Sequence, residues 1–503
     1  MNFFSRNIPF IILCTMLAHL HNPLLASQYP CEYSCTTNPL EEIYPNQNMC
    51  VLLESIPPAL QNLPYVMYPC SDVYNTNRFG FNKRFNYFPA AIIVPTTEDE
   101  LMYAFTALKE NNVPFSVRSG GHCFGPGSLS NGYILDLRNF NTITPDTSTN
   151  TVFIGVGSHL GDVITTLGDL DYAIPTGTCP AVCVGGLALE GGTGYLARKW
   201  GLTCDSIMSI RMLNAQGAII DIDHNNYPDL FWALCGAGAN AFGIVIGFTF
   251  KMHYIPTVSL VSLQWDWNPK QAQKIFKTWQ KWIKTLPKSI TSECIFSYRT
   301  GTSRVTINAL KVGSEPLTEW QCPFSKFNPT ITNDYQGNYL QAATKIASTP
   351  TPPFSKVKSK FIFEPLSKKG IKVVTEFYSK LQEDAKNIRV NLFFGSMVHG
   401  AISKTHPHSS FFPRKAFAWV YEFGYWFYEN QSAPTIALLN QFYHDLEPYT
   451  SPYSYANLVD YELGKDYLHA YYGDNVKRLI KTKRKYDPIN IFTWKQGIPL
   501  HKL

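Results

Sequence analysis

A strand that runs directly into a pair of glycines constrains this chain more than any other feature. Residues 113–117 read as a buried strand, and Arg118-Ser119-Gly120-Gly121-His122 follows at its end. Upstream, Ala91-Ile92-Ile93-Val94 reads as a second short strand. Thr97 and Glu100 form a capping box for a helix to about Asn111, with Leu101, Ala104 and Leu108 on one face. The spacing predicts a β-α-β unit, and open α/β sheets bind ligands outside strand ends such as this one. Glycines at 120 and 121 let backbone N–H groups approach an anion without obstruction. Gly185, Gly186, Gly191, Gly192 and Gly194 repeat that offer in a stretch that reads as one Gly-rich loop over 185–194. Two such loops suit a long ligand carrying a diphosphate, as in a dinucleotide. The nicotinamide fingerprint G-x-G-x-x-G does not occur between a strand and a helix: Gly155-x-Gly157 lies at a strand end without the third glycine.

Further strands are expected at 133–137, 151–156, 207–213, 219–222 and 242–248, with a helix starting near Ser158. After Tyr254-Ile255-Pro256 the texture changes. Aromatic, strand-like stretches at 391–397 and 417–426 share the region with helical ones such as 270–286. The expected class is α+β: a two-part ligand-binding domain and a second domain with an antiparallel sheet backed by helices. The expected divisions are 1–26 (signal), 27–84 (an irregular Cys-containing arm), 85–256, 257–440, and a segment 441–503 that completes the first domain.

Charged residues are only 16% of the 503, so the net charge of +6 reflects few acids rather than a basic surface. That argues against a nucleic-acid partner, which needs Lys and Arg gathered on one face. The one dense basic run, Lys477-Arg478 to Lys485, suits the solvated side of a helix. Ile8 to Leu20 is mostly apolar, and Leu24-Leu25-Ala26-Ser27 offers a small-residue cleavage site, the pattern of a secretory signal. No later stretch is long and apolar enough to read as a membrane span. The expectation is a secreted or otherwise extracytoplasmic protein with no integral membrane segment. Of twelve cysteines, Cys14 leaves with the signal, and an oxidising compartment favours pairing of the rest. Cys31, Cys35, Cys50 and Cys70 are expected to staple the arm. The eleven that remain are an odd number, so one thiol needs another fate. No metal site is expected; His406-Pro407-His408 reads as a loop.

The segment from Asn112 to His122, with Gly177-x-Cys179-Pro180-x-Val182 and Gly185-Gly186, resembles the flavin domain of berberine bridge enzyme-like oxidases. These belong to the wider vanillyl-alcohol oxidase (PCMH) type of FAD proteins. The likeness continues through Gly191-Gly192-x-Gly194-Tyr195-Leu196-x-Arg198-Lys199-Trp200-Gly201-Leu202 and Phe242-Gly243-Ile244-Val245. It ends in Tyr486-Asp487-Pro488-x-Asn490-x-Phe492, and it is weak over 257–390. The resemblance implies FAD as cofactor, with His122 bonding the flavin 8-methyl carbon and Cys179 its ring carbon C6. Ten cysteines would then remain for bridges. Arg118, Ser119, Gly120, Gly121, Val182, Gly185, Gly186, Gly192, Gly194, Val245 and Asn490 are the other expected cofactor-binding positions. Val182, three residues past the flavin cysteine, goes in the family with use of O2 as acceptor.

For the substrate, Phe124, Thr193, Tyr421 and Asn457 are the expected pocket residues, and Glu422 and Tyr455 the candidate catalytic ones. Hydride removal from an alcohol needs a base within hydrogen-bond reach of the hydroxyl. Glu422 is the candidate on the strand at 417–426; a register shift of one would bring Tyr421 to the site instead. Phe124 and Leu458 stand where many relatives carry tyrosine, which makes the pocket less polar and argues against a simple sugar. The expected function is oxidation of an alcohol, carbohydrate-like or aromatic, with reduction of O2 to H2O2. Two alternatives remain open: a dehydrogenase using another acceptor, and an exported flavoprotein that only binds a partner.

Overall fold

The computed structural model describes residues 56–501, apart from 70, 348–352 and 385. The expected signal and Cys31, Cys35, Cys50 and Cys70 lie outside the described residues. The β-α-β unit forms where the spacing predicts it. Strands β1 (Val66–Met67), β2 (Ala91–Ile93), β3 (Phe115–Arg118) and β4 (Tyr133–Asp136) make a sheet of order β1-β2-β4-β3, with helix α1 (Glu98–Glu110) between β2 and β3. β2 and β3 both run parallel to β4. Thr97 caps α1 by accepting the Glu100 N–H at 3.2 Å, while Glu100 reaches back to the N–H and hydroxyl of Thr96 rather than to Thr97. The arm is less irregular than expected: Val66 and Met67 pair antiparallel with Ile93 and Ile92 and extend the sheet by a strand.

A second, wholly antiparallel sheet follows. It contains β5 (Ile143–Asp146), β6 (Thr151–Gly155), β7 (Ile207–Asn214), β8 (Ile219–Asp223) and β9 (Gly243–Lys251), in the order β5-β6-β9-β7-β8. Helix α2 (Leu160–Gly168) leaves β6, and both sheets share one core through Leu135, Ile154, Ile210 and Phe248. The stretch expected as one glycine loop begins instead as a short helix, α3 (Val184–Leu189), because Val184, Ala188 and Leu189 bury one face of it. The loop proper starts at Gly191.

The third sheet has seven antiparallel strands. They are β10 (Val258–Asp266), β11 (Ile290–Arg299), β12 (Thr302–Val312), β13 (Thr330–Gly337), β14 (Phe354–Ile362), β15 (Arg389–Ser396) and β16 (Ala418–Trp426), in the order β13-β10-β12-β11-β15-β16-β14. Helices α4 (Pro269–Trp282), α5 (Lys368–Glu383) and α6 (Ser432–Leu446) cover one face. Strand side chains alternate between faces. Val390, Leu392, Phe394, Val420 and Trp426 enter the helix-side core. Val357, Phe361, Phe393, Trp419, Tyr421 and Phe423 face the first core. Helix α6 runs across the expected division at 440, and the chain returns to the first core from Tyr455 onward.

Helix α7 (Val476–Tyr486) carries the basic run, with one exception to the solvated face expected of it. Lys483 is buried, and its ammonium donates to Asp487 Oδ2 at 2.6 Å and to the carbonyls of Ala241 and Phe492. The cysteines also differ from expectation. Cys123, Cys179, Cys183, Cys204, Cys235 and Cys294 are all free thiols, so the bridges expected of five of these do not form. Cys204, Cys235 and Cys294 pack inside the cores as small apolar side chains. Among the described residues no helix is long and apolar enough to cross a membrane, and no cluster of metal-ligating side chains occurs.

Candidate active site

Two loops and one strand make the site. The first loop leaves β3. Arg118 braces it from behind through a buried ion pair with Asp136 at 2.6 Å, and Ser119 donates to the Val156 carbonyl at 2.6 Å. Gly120 lies against Cys183, where an added Cβ would stand 2.6 Å from the thiol sulfur, and Gly121 turns the chain at φ +67°. His122 emerges with its ring stacked on Phe81 at 4.7 Å. Burial, aided by the charge of His159, pushes its pKa down to about 4, so the imidazole is neutral with a lone pair available.

The second loop carries half-buried Cys179. The Val182 N–H donates to the Cys179 carbonyl at 3.2 Å, and the Val182 carbonyl accepts the Leu160 N–H, which ties the loop to α2. The two loops abut where Gly120 meets Cys183 and where Gly185 packs on Ser119 and Val156. Gly186 differs: a Cβ there would meet nothing within 4 Å. Gly192 turns at φ +80°, and Gly194 sits so close to the Thr176 carbonyl that no side chain fits.

Strand β16 lies over both loops. Phe423 packs against Phe124, two residues past His122, with ring centroids 5.0 Å apart. Tyr425 senses the charge of Cys179. Tyr421 is stacked between Phe393 at 4.5 Å and Trp419 at 4.3 Å. A small cavity beside this row is lined by Thr193, Leu202, Phe361, Met397, Ile402, Phe411, Trp419 and Tyr455. The Tyr455 hydroxyl accepts the Gly192 N–H at 2.9 Å and Asn457 Nδ2 at 3.0 Å.

Glu422 is not at this site, which corrects the expected base. It is the direct cross-strand partner of Lys358 and points with Val420 into the helix layer, beside Tyr378 of α5 and Tyr443 of α6. Burial raises its pKa well above the carboxylate range. The alternation along β16 decides the matter: Tyr421 faces the loops and Glu422 the helices. Several site residues escape the sequence pattern altogether. Phe81, Phe393, Phe411 and Trp419 are ordinary aromatics in sequence; strand pairing brings Phe393 and Trp419 here, and loops bring Phe81 and Phe411.

The residues fit a flavin dinucleotide. The open face at Gly186 gives a flat ligand close approach to backbone, and the neutral His122 and half-buried Cys179 are the nucleophilic side chains of the two loops. Ser158 Oγ and Asn490 Oδ1 are buried polar atoms that take no hydrogen bond from the protein. Val245 lies at a bulge in β9, next to Ile246, whose carbonyl accepts the Val156 N–H. When bound, FAD would supply two-electron oxidation, and His122, Cys179 and the glycine loops are the groups that would hold it.

Comparison with known proteins agrees. Residues 89–223 match the FAD binding domain family, and residues 454–499 match the family described as berberine and berberine like. The uncharacterized FAD-linked oxidoreductase YgaK of Bacillus subtilis is 31% identical over 85% of this chain and 94% of its own length. Berberine bridge enzyme-like 19 of Arabidopsis thaliana is 28% identical over 84% of this chain and 80% of its own. Among solved structures, wild-type BBE-like 1 of Physcomitrella patens superposes with a TM-score of 0.80 at 25% identity, covering 90% of this chain and all of that one. Flavin-loop geometry, fold and sequence agree, and the chain belongs to the berberine bridge enzyme-like family of FAD-linked oxidases.

Proposed function

We propose that this FAD-linked oxidoreductase is an exported oxidase of hydrophobic aromatic alcohols, with FAD bonded to both His122 and Cys179 and with O2 as electron acceptor. One observation carries the reading: the aromatic face of β16 packs on the His122 loop, with Phe423 on Phe124 and Tyr425 stacked beside Phe423 within electrostatic reach of Cys179. A flavin anchored at both residues would lie beneath that face. The cavity next to it offers only two side-chain hydroxyls, those of Thr193 and Tyr455, among six apolar side chains. A sugar would leave most of its hydroxyls unpaired there, at a cost of about 1–3 kcal/mol each. An aromatic alcohol seated against this wall would meet apolar side chains and keep one hydroxyl for Tyr455. The rings exclude water and Tyr455 orients the substrate hydroxyl, while FAD, when bound, would supply the two-electron oxidation. Val182 beside Cys179 supports the choice of O2, and the apolar run Ile8 to Leu20 with Leu24-Leu25-Ala26-Ser27 supports export.

Acid precipitation of the purified protein tests the anchoring. Flavin is expected to stay with the wild-type chain and with His122→Ala and Cys179→Ala, and to leave the double variant. Flavin released from the wild type overturns double attachment. A peroxide-coupled screen tests the reaction: aromatic primary alcohols are expected to yield H2O2, and a response to oligosaccharides alone overturns the substrate class. Slow reoxidation of the reduced protein in air would point to a dehydrogenase.

A further inference from the structure

With Glu422 turned to the helices, the face of the seven-stranded sheet toward the flavin loops still carries a buried carboxylate, on a different strand. Glu293 lies on β11, where Cys294 and Phe296 enter the helix-side core and Ser292 bonds Trp279 of α4. Glu293 therefore points the other way, and there its Oε2 accepts the Tyr195 hydroxyl at 2.6 Å. Tyr195 belongs to the second glycine loop, one residue past Gly194 and two past Thr193 of the cavity wall. Asn308, directly across the strands from Glu293, also hydrogen-bonds the phenol.

The sheet register places this carboxylate two strands from the cavity wall. Glu293 pairs across the strands with Gly395, and Gly395 pairs with Trp419, a cavity-lining residue. Only a glycine separates the two, and the Trp419 indole fills the place its side chain would take. The titratable groups that face Glu293 are Tyr195 and Tyr421, and the Tyr421 phenol senses Glu293, Tyr195 and Tyr455 together. The segment from Gly192 to Tyr195 is held at its two ends, by Tyr455 and by Glu293.

We propose that Glu293, positioned by Tyr195, is the proton acceptor of the alcohol-oxidising site. The inference rests on the proposed function. In the step, the substrate C–H bond breaks with its electron pair toward oxidised FAD, and the O–H proton passes to the Glu293 carboxylate. The C–O bond becomes a carbonyl, and the acceptor that reoxidises the flavin closes the electron balance. Burial lifts the Glu293 carboxyl to about 7, which brings a carboxylate into the range where a base works near neutral pH. Tyr195 donates to the ionised form and so opposes that lift.

The test is anaerobic bleaching of the bound flavin by an aromatic alcohol, followed against pH in the intact holoenzyme. The wild-type rate should fall as pH drops through about 7. Glu293→Gln should bleach roughly a hundredfold or more slowly, the usual scale of a lost general base, and should lose that limb. Tyr195→Phe should keep the limb and move it to higher pH. Dithionite bleaching and the visible spectrum confirm that each variant holds its flavin. A Glu293→Gln protein that holds flavin and bleaches within threefold of wild type overturns the inference and leaves the parent reading intact. If that variant does not hold flavin, an unmoved limb in Tyr195→Phe overturns it equally. A wild type that no alcohol bleaches overturns both.

Discussion

Tyr455 receives the backbone N–H of Gly192 on its hydroxyl at 2.9 Å, and that bond joins the C-terminal segment to the glycine loop at the cavity wall. Asn457 donates to the same oxygen and also to the Leu187 carbonyl. Both bonds bring donors, so the phenol keeps its own proton to present to a substrate oxygen. Tyr455→Phe leaves the Gly192 N–H without its acceptor and removes the group that orients the hydroxyl. The expected result is a loss in kcat of roughly tenfold to a hundredfold, equivalent to about 1.4–2.8 kcal/mol of barrier. A loss of stability of about 1–3 kcal/mol from the stranded donors should accompany it. Turnover normalised to bound flavin, with a denaturant titration, separates the two effects.

Glu422 and Tyr421 are neighbours on β16 with opposite fates, and paired variants report this. Tyr421→Phe alters the face over the loops and should lower turnover. Glu422→Gln alters the helix layer, where Tyr378 and Tyr443 flank it, and should leave turnover within about threefold. Neither carboxylate oxygen of Glu422 has a hydrogen-bond partner. An amide removes the burial penalty on the charge, so Glu422→Gln should also raise the denaturation midpoint at pH 8. A hundredfold loss of turnover in Glu422→Gln would return that residue to the site.

This strand shows where the sequence is legible and where it is not. The β-α-β unit and the Thr97 cap follow from local chemistry, and the structure places them within a residue or two of the expected bounds. The aromatic stretch 417–426 reads as a strand for the same reason. Which face of it meets the loops is set by pairing with β14 and β15, and that register lies outside the strand's own sequence. Glu293 is harder still. It lies where family resemblance is weak, and its significance comes from Gly395 and Trp419, each about 100 residues or more away in sequence. The thiols fail as expectations for a related reason: cysteine count reports the compartment, whereas the geometry of each pair decides whether two sulfurs can bond. Cys204 and Cys235 share one core as free thiols.

Gly185 and Gly186 are adjacent in α3 and should respond differently to alanine. A Cβ at Gly185 would stand 2.9 Å from Ser119 Oγ and from Val156 Cβ, pushing the two flavin loops apart. Gly185→Ala should therefore cost about 1–3 kcal/mol of stability as an overpacked contact. At Gly186 the added carbon meets no protein atom, so Gly186→Ala should fold as well as wild type. Its methyl would instead intrude on the ligand face, and flavin content per chain should drop. Equal flavin content in Gly186→Ala and wild type would remove that face from the cofactor site.

Glu190, the residue before Gly191, is one of the groups that lower stability as pH rises. Its carboxyl is buried, with Oε1 accepting the Ala239 N–H at 3.0 Å and Oε2 the Tyr472 hydroxyl at 3.4 Å. Burial pushes its pKa up to about 8, whereas an unfolded glutamate ionises near 4.5. Between those values the folded chain holds a proton that the unfolded chain releases, so this group lowers stability as pH rises through the interval. The half-buried imidazoles act in the opposite sense. His122 and His253, each lowered to about 4, bind protons in the unfolded chain first, and stability falls as pH drops from about 6.5 toward 4. From these three groups alone, stability peaks at about pH 6.5. Glu190→Gln keeps the size and an acceptor for Ala239 while abolishing the titration. Relative to wild type it should gain on the order of 3 kcal/mol between pH 5 and pH 9, read from denaturant midpoints across that range. A difference between the two proteins that does not change with pH would show that Glu190 is ionised in the fold throughout.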